Sequence, residues 1–170
     1  MAELTPLERL QPALLDRLCD DEPDKAVEPR ERRVLNRNQL REAVLRDLAW
    51  LFNSTKPTER EGLEKYSHVA RSVLGFGLPP LAGETASTFD PMTLEARIRQ
   101  AILEFEPRID SSTLEVEVLM SEEWMDQHNL IGIQSRGNIW AQPVPLEMIL
   151  RTEIDLETGH VELKDLTGAG

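Results

Sequence analysis

The hydrophobic period of this chain changes at a single proline, Pro107. Upstream of it, Asp90 can cap and Pro91 can open a helix whose apolar stripe is Leu94, Ile98, Ala101, Ile102 and Phe105. Pro107 must end that helix, because the residue before a proline is pushed out of the helical conformation. Downstream, charged residues alternate with apolar ones, as in a strand with one face in water: Leu114, Val116, Val118 and Met120. This order predicts an α+β fold, with N-terminal helices followed by a small antiparallel sheet of three to four strands.

Other segments extend both halves of this prediction. A helix from about 38 to 52 can use Asn36 and Gln39 as a capping pair, and Ser67 can cap a shorter helix that stops at Gly75. Further strands are predicted at 130–141, at 146–156 and, after a turn, at 160–163. Two glycines in the second of the four strands, Gly132 and Gly137, predict a bulge or the close approach of another backbone.

An amphipathic helix lies near the N-terminus. Its apolar stripe comprises Leu7, Leu10, Leu14 and Leu18, with Leu15 beside it. Residues 20–33 contain two prolines and almost no large apolar residue, as is typical of a solvated linker. The stripe can fold back on the core or dock on a partner, and the sequence leaves both open. We therefore divide the chain into an N-terminal helix with a flexible charged linker (1–35), one α+β domain (36–166) and a tail (167–170).

The net charge of the chain limits the kinds of partner that it can bind. Its 31 acidic residues outnumber 19 Lys and Arg, giving a formal net charge of -12, so a phosphate backbone would be repelled. No apolar stretch reaches the roughly 20 residues that a membrane helix needs, and no signal peptide is visible, which predicts a cytoplasmic protein. One cysteine, Cys19, offers neither an internal disulfide nor a Cys-based zinc cage.

Catalytic patterns are weak. His68, His128 and His160 lie in separate segments without a second ligand at helical or strand spacing, so we expect neither a metal nor a cofactor. Glu104 and Glu106 could form the acid pair of a glycoside hydrolase, but a chain this acidic offers many such pairs by chance. The tryptophans are expected as core residues or a sheet-edge aromatic: Trp50, Trp124 and Trp140. We predict no catalytic residues and no enzyme activity.

The junction itself, residues 105–109, reads FEPRI. Phe105 completes the helix stripe, whereas Glu106 and Arg108, two apart, project to the same side if the chain is extended there. The pair has three readings: a catalytic carboxylate with its charge partner, an internal ion pair, or a contact with another protein. The sheet adds a further possibility, because an edge that nothing covers can accept an extended segment of another chain.

Several stretches taken together resemble TssE, the type VI secretion baseplate family related to the tailed-phage baseplate wedge protein that starts the contractile sheath. They follow the family order and cover most of the chain: LLDRL (14–18), VLRDLAWLFN (44–53), SVLGFGLPPLAG (72–83), FEPRI (105–109) and LRTEIDLETG (150–159). Four residues depart from the family pattern. Asn-Tyr is common where this chain has Gly75 and Phe76, an acid where it has Pro80, and an apolar residue where it has Ser135.

The resemblance implies a structural part of a contraction machine. Such a subunit docks on the wedge core, contacts the baseplate proteins TssF, TssG and TssK, and templates the sheath by exchanging strands with TssB and TssC. The Glu-Pro-Arg motif at Glu106, Pro107 and Arg108 looks like the contact with the wedge core. Leu14, Leu15 and Leu18 are the second candidate interface. A lysozyme-like cell-wall hydrolase is the alternative function, since some relatives carry that label.

Overall fold

The computed structural model describes residues 12–19, 23–24, 35–57, 65–81, 90–119, 130–141 and 144–167. Within these ranges the chain forms four α-helices, a 3₁₀ turn and four strands. The helices are α1 (Leu14–Leu18), α2 (Arg37–Phe52), α3 (Ser67–Ala70) and α4 (Pro91–Phe105), and the 3₁₀ turn is Val73–Gly75. The strands are β1 (Glu115–Leu119), β2 (Leu130–Ile139), β3 (Leu146–Asp155) and β4 (Val161–Asp165). The predicted α+β class is confirmed. Predictions for Leu7, Leu10, Met120, Trp124, His128 and most of the linker lie outside the described residues.

The two long helices begin as the sequence predicts. Asn36 and Gln39 exchange two hydrogen bonds of 2.9 Å at the start of α2, and the Asp90 carboxylate accepts the Met92 N–H at α4. The prediction for Ser67 is wrong. Ser67 lies inside the first turn of α3, where its side chain cannot cap, and Ser72 caps the 3₁₀ turn instead by accepting the Leu74 N–H.

The sheet is antiparallel throughout, in the order β1-β2-β3-β4. Its register runs without interruption along β2, from Leu130 opposite Asp155 to Ile139 opposite Leu146. The bulge predicted from the glycines is therefore absent from β2. At Gly137 an added Cβ would lie 3.5 Å from the Ile109 side chain and 3.6 Å from the Leu114 Cα, which are ordinary van der Waals distances, so this glycine is not required by a close backbone.

The core lies between one face of the sheet and the helices, with α4 against β1 and α2 against β4. Alternate residues of β3 point into it, because successive strand side chains face opposite ways. These are Leu146, Met148, Leu150, Thr152 and Ile154. Ser135 on β2 is fully buried on the same face, and its hydroxyl has no hydrogen-bond partner among the described atoms. A polar side chain therefore lies inside the core at this position.

The loop after the 3₁₀ turn is fixed by Gly77. Its φ is +119°, and a Cβ there would lie 2.3 Å from the Ser54 carbonyl oxygen, so only glycine fits. Leu78 exchanges main-chain hydrogen bonds with Ser54 and Lys56 at the end of α2. Phe76 then packs edge-on against Phe105, with ring centroids 5.3 Å apart. The loop thereby braces the end of α4, where the FEPRI junction begins.

Candidate protein interaction surface

The FEPRI junction is a turn docked on the end of β2. The Ile109 N–H donates to the Glu106 carbonyl over 3.2 Å, which closes the turn around Pro107. Beyond the turn, Ile109 bridges to Ile139, and the Trp140 N–H donates to the Arg108 carbonyl over 2.7 Å. The chain is therefore not extended between Glu106 and Arg108, and the two side chains meet through the turn instead.

Glu106 and Arg108 form a two-pronged ion pair. The Arg108 Nε lies 2.6 Å from one Glu106 carboxylate oxygen, and Nη2 lies 2.5 Å from the other. The Arg108 main-chain N–H also donates to that carboxylate. Glu106 is 3% exposed, so this is an internal ion pair, as one of the three readings held. Arg108 Nη1 is buried without a hydrogen-bond partner among the described atoms, which limits what the pair adds to stability.

The pair continues into helix α2 and from there to α1. Arg108 Nη2 also contacts Asp47 at 2.5 Å, and Asp47 accepts two hydrogen bonds from Arg46, at 3.0 and 2.9 Å. Arg46 Nη1 donates to Asp16 on α1 over 2.6 Å. Five alternating charges thus link the junction to the N-terminal helix. We call them the charge relay: Glu106, Arg108, Asp47, Arg46 and Asp16.

The charge relay raises the pKa of both arginines. For Arg108, desolvation lowers the pKa, but the hydrogen bonds and charges of Glu106 and Asp47 outweigh it and raise the pKa above its ordinary value. For Arg46, the hydrogen bond to Asp16 is the largest cause of a raised pKa, and Asp47 adds to it. The charged form of both guanidiniums is therefore favoured.

Helix α1 is joined to α2 by the ion pair between Asp16 and Arg46, and its apolar stripe faces solvent. Leu14, Leu15 and Leu18 are 72%, 41% and 73% exposed, and no residue of α1 is buried. Asp16 fixes the helix start by accepting the Ala13 N–H over 3.1 Å. The helix thus contacts α2 while its leucines face solvent, and their docking on a partner stays a prediction.

Trp50 enlarges the exposed surface beside this contact. It lies one helical turn beyond Arg46, whose guanidinium sits 5.1 Å from the centre of the indole ring. The side chain is half-exposed, and so is Trp140 beside the junction, so the core position, one of the two roles expected for the tryptophans, is wrong for both. Helix α2 already buries its stripe with Leu48 and Leu51, which leaves Trp50 on the outer side.

The charge relay connects the two predicted interfaces, the FEPRI junction and the leucines of α1. Glu106 and Arg108 lie at one end of the relay, with Pro107 exposed between them, and α1 lies at the other. The connecting residues, Asp47 and Arg46, were missed by the sequence reading. Arg108 and Asp47 stand 61 positions apart, and no periodic pattern links residues at that distance.

Other candidate sites are weaker. Among the described residues, no group of three or more His, Cys, Asp and Glu side chains could hold a metal ion. His68 and His160 are both exposed, on α3 and just before β4. Glu104 accepts a hydrogen bond from Gln100 over 3.1 Å, whereas the Glu106 carboxylate is occupied by Arg108. No helix in the described part of the chain is long and apolar enough to cross a membrane.

The comparisons with known proteins support one family. The model of the family described as baseplate wedge protein gp25 matches residues 38–144, more than half of the chain. This range begins in α2, includes α4 and the FEPRI junction, and ends between β2 and β3. Comparisons with curated proteins and with solved structures gave no match. On the strength of the family match, the chain belongs to the family of the baseplate wedge protein gp25.

Proposed function

We propose that this protein is a structural subunit of the baseplate of a type VI secretion machine. It docks on the wedge core through Glu106, Pro107 and Arg108, and through the leucine stripe Leu14, Leu15 and Leu18. Its sheet starts the contractile sheath by exchanging strands with sheath subunits. Its partners are TssF, TssG and TssK in the wedge and TssB and TssC in the sheath, and it acts in the cytoplasm without catalysing a reaction.

The charge relay is the observation that carries this proposal. It joins a turn that has a buried ion pair and an exposed proline to a helix whose apolar side is exposed, so both elements are held on the same core. Protein interfaces combine these features, with an apolar centre and ordered polar groups around it. The family of the chain supports the role in a baseplate. The resemblance to TssE supports the assignment of that baseplate to a type VI secretion machine.

The same geometry argues against the hydrolase alternative. Glycoside cleavage needs two carboxyl groups that can reach the substrate at the scissile bond. Both carboxylate oxygens of Glu106 are bound by Arg108, and the residue is buried. The Glu104 and Glu106 pair therefore lacks the free carboxyl group that glycoside cleavage requires.

Copurification tests the proposal. A tagged full-length chain should retain TssF, TssG and TssK from the same system, and should retain the sheath subunits when these are added. Replacing exposed Pro107 with aspartate should reduce wedge binding at least about tenfold, since a new charge at an interface is left without a partner. The matched control is Pro80→Asp, which changes another exposed proline in the same way on the loop after the 3₁₀ turn.

Two results would contradict the proposal. One is equal wedge binding by Pro107→Asp, Pro80→Asp and the unchanged chain, which would remove the junction from the interface. The other is a purified chain that binds no baseplate or sheath protein but clears cell-wall substrate, with that activity lost in Glu104→Gln or Glu106→Gln. The second result would establish the hydrolase instead.

A further inference from the structure

The two edges of the sheet differ in how much main chain they leave open. At the β1 edge, helix α4 lies alongside the strand and two of its side chains reach the backbone. Glu95 accepts the Val118 N–H over 2.8 Å, and Arg99, one turn later on the same face, donates to the Leu114 carbonyl over 3.4 Å. Only Val116 lies between these contacts. Helix α4 therefore takes up the Val118 N–H and the Leu114 carbonyl, and leaves the two main-chain groups of Val116 and the Val118 carbonyl without a partner among the described residues.

At the β4 edge, one side chain covers only the first residue. The Asn53 amide at the end of α2 pairs with both main-chain groups of Val161, each over 3.0 Å, as a neighbouring strand would. Main-chain groups along a strand point alternately to the two sides, so Leu163 and Asp165 face the same way as Val161. Their N–H and carbonyl groups have no partner within the described part of the chain. Within the described part of the chain, this edge is open at Leu163 and Asp165.

The lysine on β4 does not guard this edge. Exposed lysines commonly block edge pairing by projecting outward. Lys164 instead lies 3.0 Å from Glu153 on β3 and 3.7 Å from Glu162 on its own strand, so it turns back over the sheet. What remains near the edge is acidic, because Glu162 and Asp165 are both exposed. Leu163, between them, is partly buried and packs against the core.

We infer that the partner strand adds to β4, beside Leu163 and Asp165, and not to β1. The incoming segment is an extended stretch of a sheath subunit with an apolar residue beside Leu163 and basic residues on both of its faces, because Glu162 and Asp165 lie on opposite faces of β4. An apolar residue continues the core beside Leu163, and basic residues meet Glu162 and Asp165. This inference rests on the proposed function, since it names the edge at which strand exchange takes place.

Amide hydrogen exchange on the unaltered full-length chain tests the edge directly. The probe is the purified pair of sheath subunits from the same system. On binding, exchange at the Leu163 and Asp165 amides should slow at least about tenfold, because a new ladder takes up these N–H groups. The matched control is the Val116 amide, which points to the open part of the β1 edge and should keep its rate.

A pair of proline variants provides a second measurement. Proline at Leu163 or at Val116 removes an N–H that points away from the sheet, so each leaves the internal ladder intact. Leu163→Pro should lose sheath binding at least about tenfold, and Val116→Pro should retain it. If Leu163→Pro does not fold, the exchange experiment on the unaltered chain decides alone.

The outcomes distinguish the choice of the β4 edge from strand exchange itself. Binding with protection at Val116, or with protection at neither edge, overturns the choice of β4 and leaves the baseplate role standing. A failure of the unaltered chain to bind the sheath subunits overturns the strand exchange itself. Binding with protection confined to Leu163 and Asp165 supports both.

Discussion

Helices α1 and α4 carry the same kind of leucine and isoleucine pattern but use it in opposite ways. In α4, Leu94, Ile98 and Ile102 are buried against the sheet, whereas in α1 the leucines of the stripe face solvent. Each helix also has an ion pair nearby, buried at the end of α4 and partly exposed at α1. Helical spacing thus reveals that a face is apolar without revealing what covers it. The covering partner of α4 is its own sheet, and that of α1 is proposed to be another protein.

The largest effect is expected in the buried stripe. Ile102→Ala should lower the free energy of unfolding by about 4 kcal/mol, because the site is fully enclosed and the lost methyl groups leave a cavity. Urea denaturation of the purified chain measures this. Leu18→Ala, in the exposed stripe, is the matched control and should change stability by less than about 0.5 kcal/mol. Equal losses in both variants would abolish the difference between the helices.

The ion pair at the end of α4 gives the next largest effect. Arg108→Ala should cost about 3 kcal/mol, because it leaves the buried Glu106 carboxylate without its cation. Thermal and urea unfolding should both show the loss. Replacing both members, as Glu106→Leu with Arg108→Met, should recover part of it, since no uncompensated charge then remains. A stable Arg108→Ala chain that fails to bind the wedge would instead make the residue a pure contact.

Much of the fold follows from local pattern in the sequence. The caps at Asn36 and Asp90, the helix end before Pro107 and the alternation in β3 are each determined by neighbouring residues, and the structure agrees with them. The site follows less well, because it depends on contacts between distant segments. Asp47 and Arg46 read as polar residues on a helix face, and nothing local marks them as neighbours of Arg108 and Asp16. The exposure of Trp50 was also not predicted. Nothing in the local sequence shows that α2 turns its buried stripe, with Leu48 and Leu51, to the core and leaves Trp50 on the outer side.

A smaller effect is expected where the relay reaches α1. Asp16→Ala removes the carboxylate that holds Arg46 and the start of the helix, and should cost at most about 1 kcal/mol, because the Arg46 side chain is partly exposed and water screens the pair. Urea unfolding at low and at high salt measures it, and the cost should shrink at high salt. Asp24→Ala, an exposed acid outside the relay, is the control. A cost near that of Arg108→Ala would show that α1 is part of the core.

The smallest effect on stability should accompany a large effect on binding. Leu14→Asp with Leu18→Asp places two charges on side chains that already face solvent, so the thermal midpoint should stay nearly unchanged. Wedge binding should fall, because two charges would have to be buried without partners. The control is Arg17→Asp, an exposed position on the same helix but outside the stripe. A large drop in the midpoint would show that the leucines pack on their own core. An unchanged midpoint with lost binding would show that the two apolar stripes have different partners. The stripe of α4 packs on its own sheet, and that of α1 binds another chain.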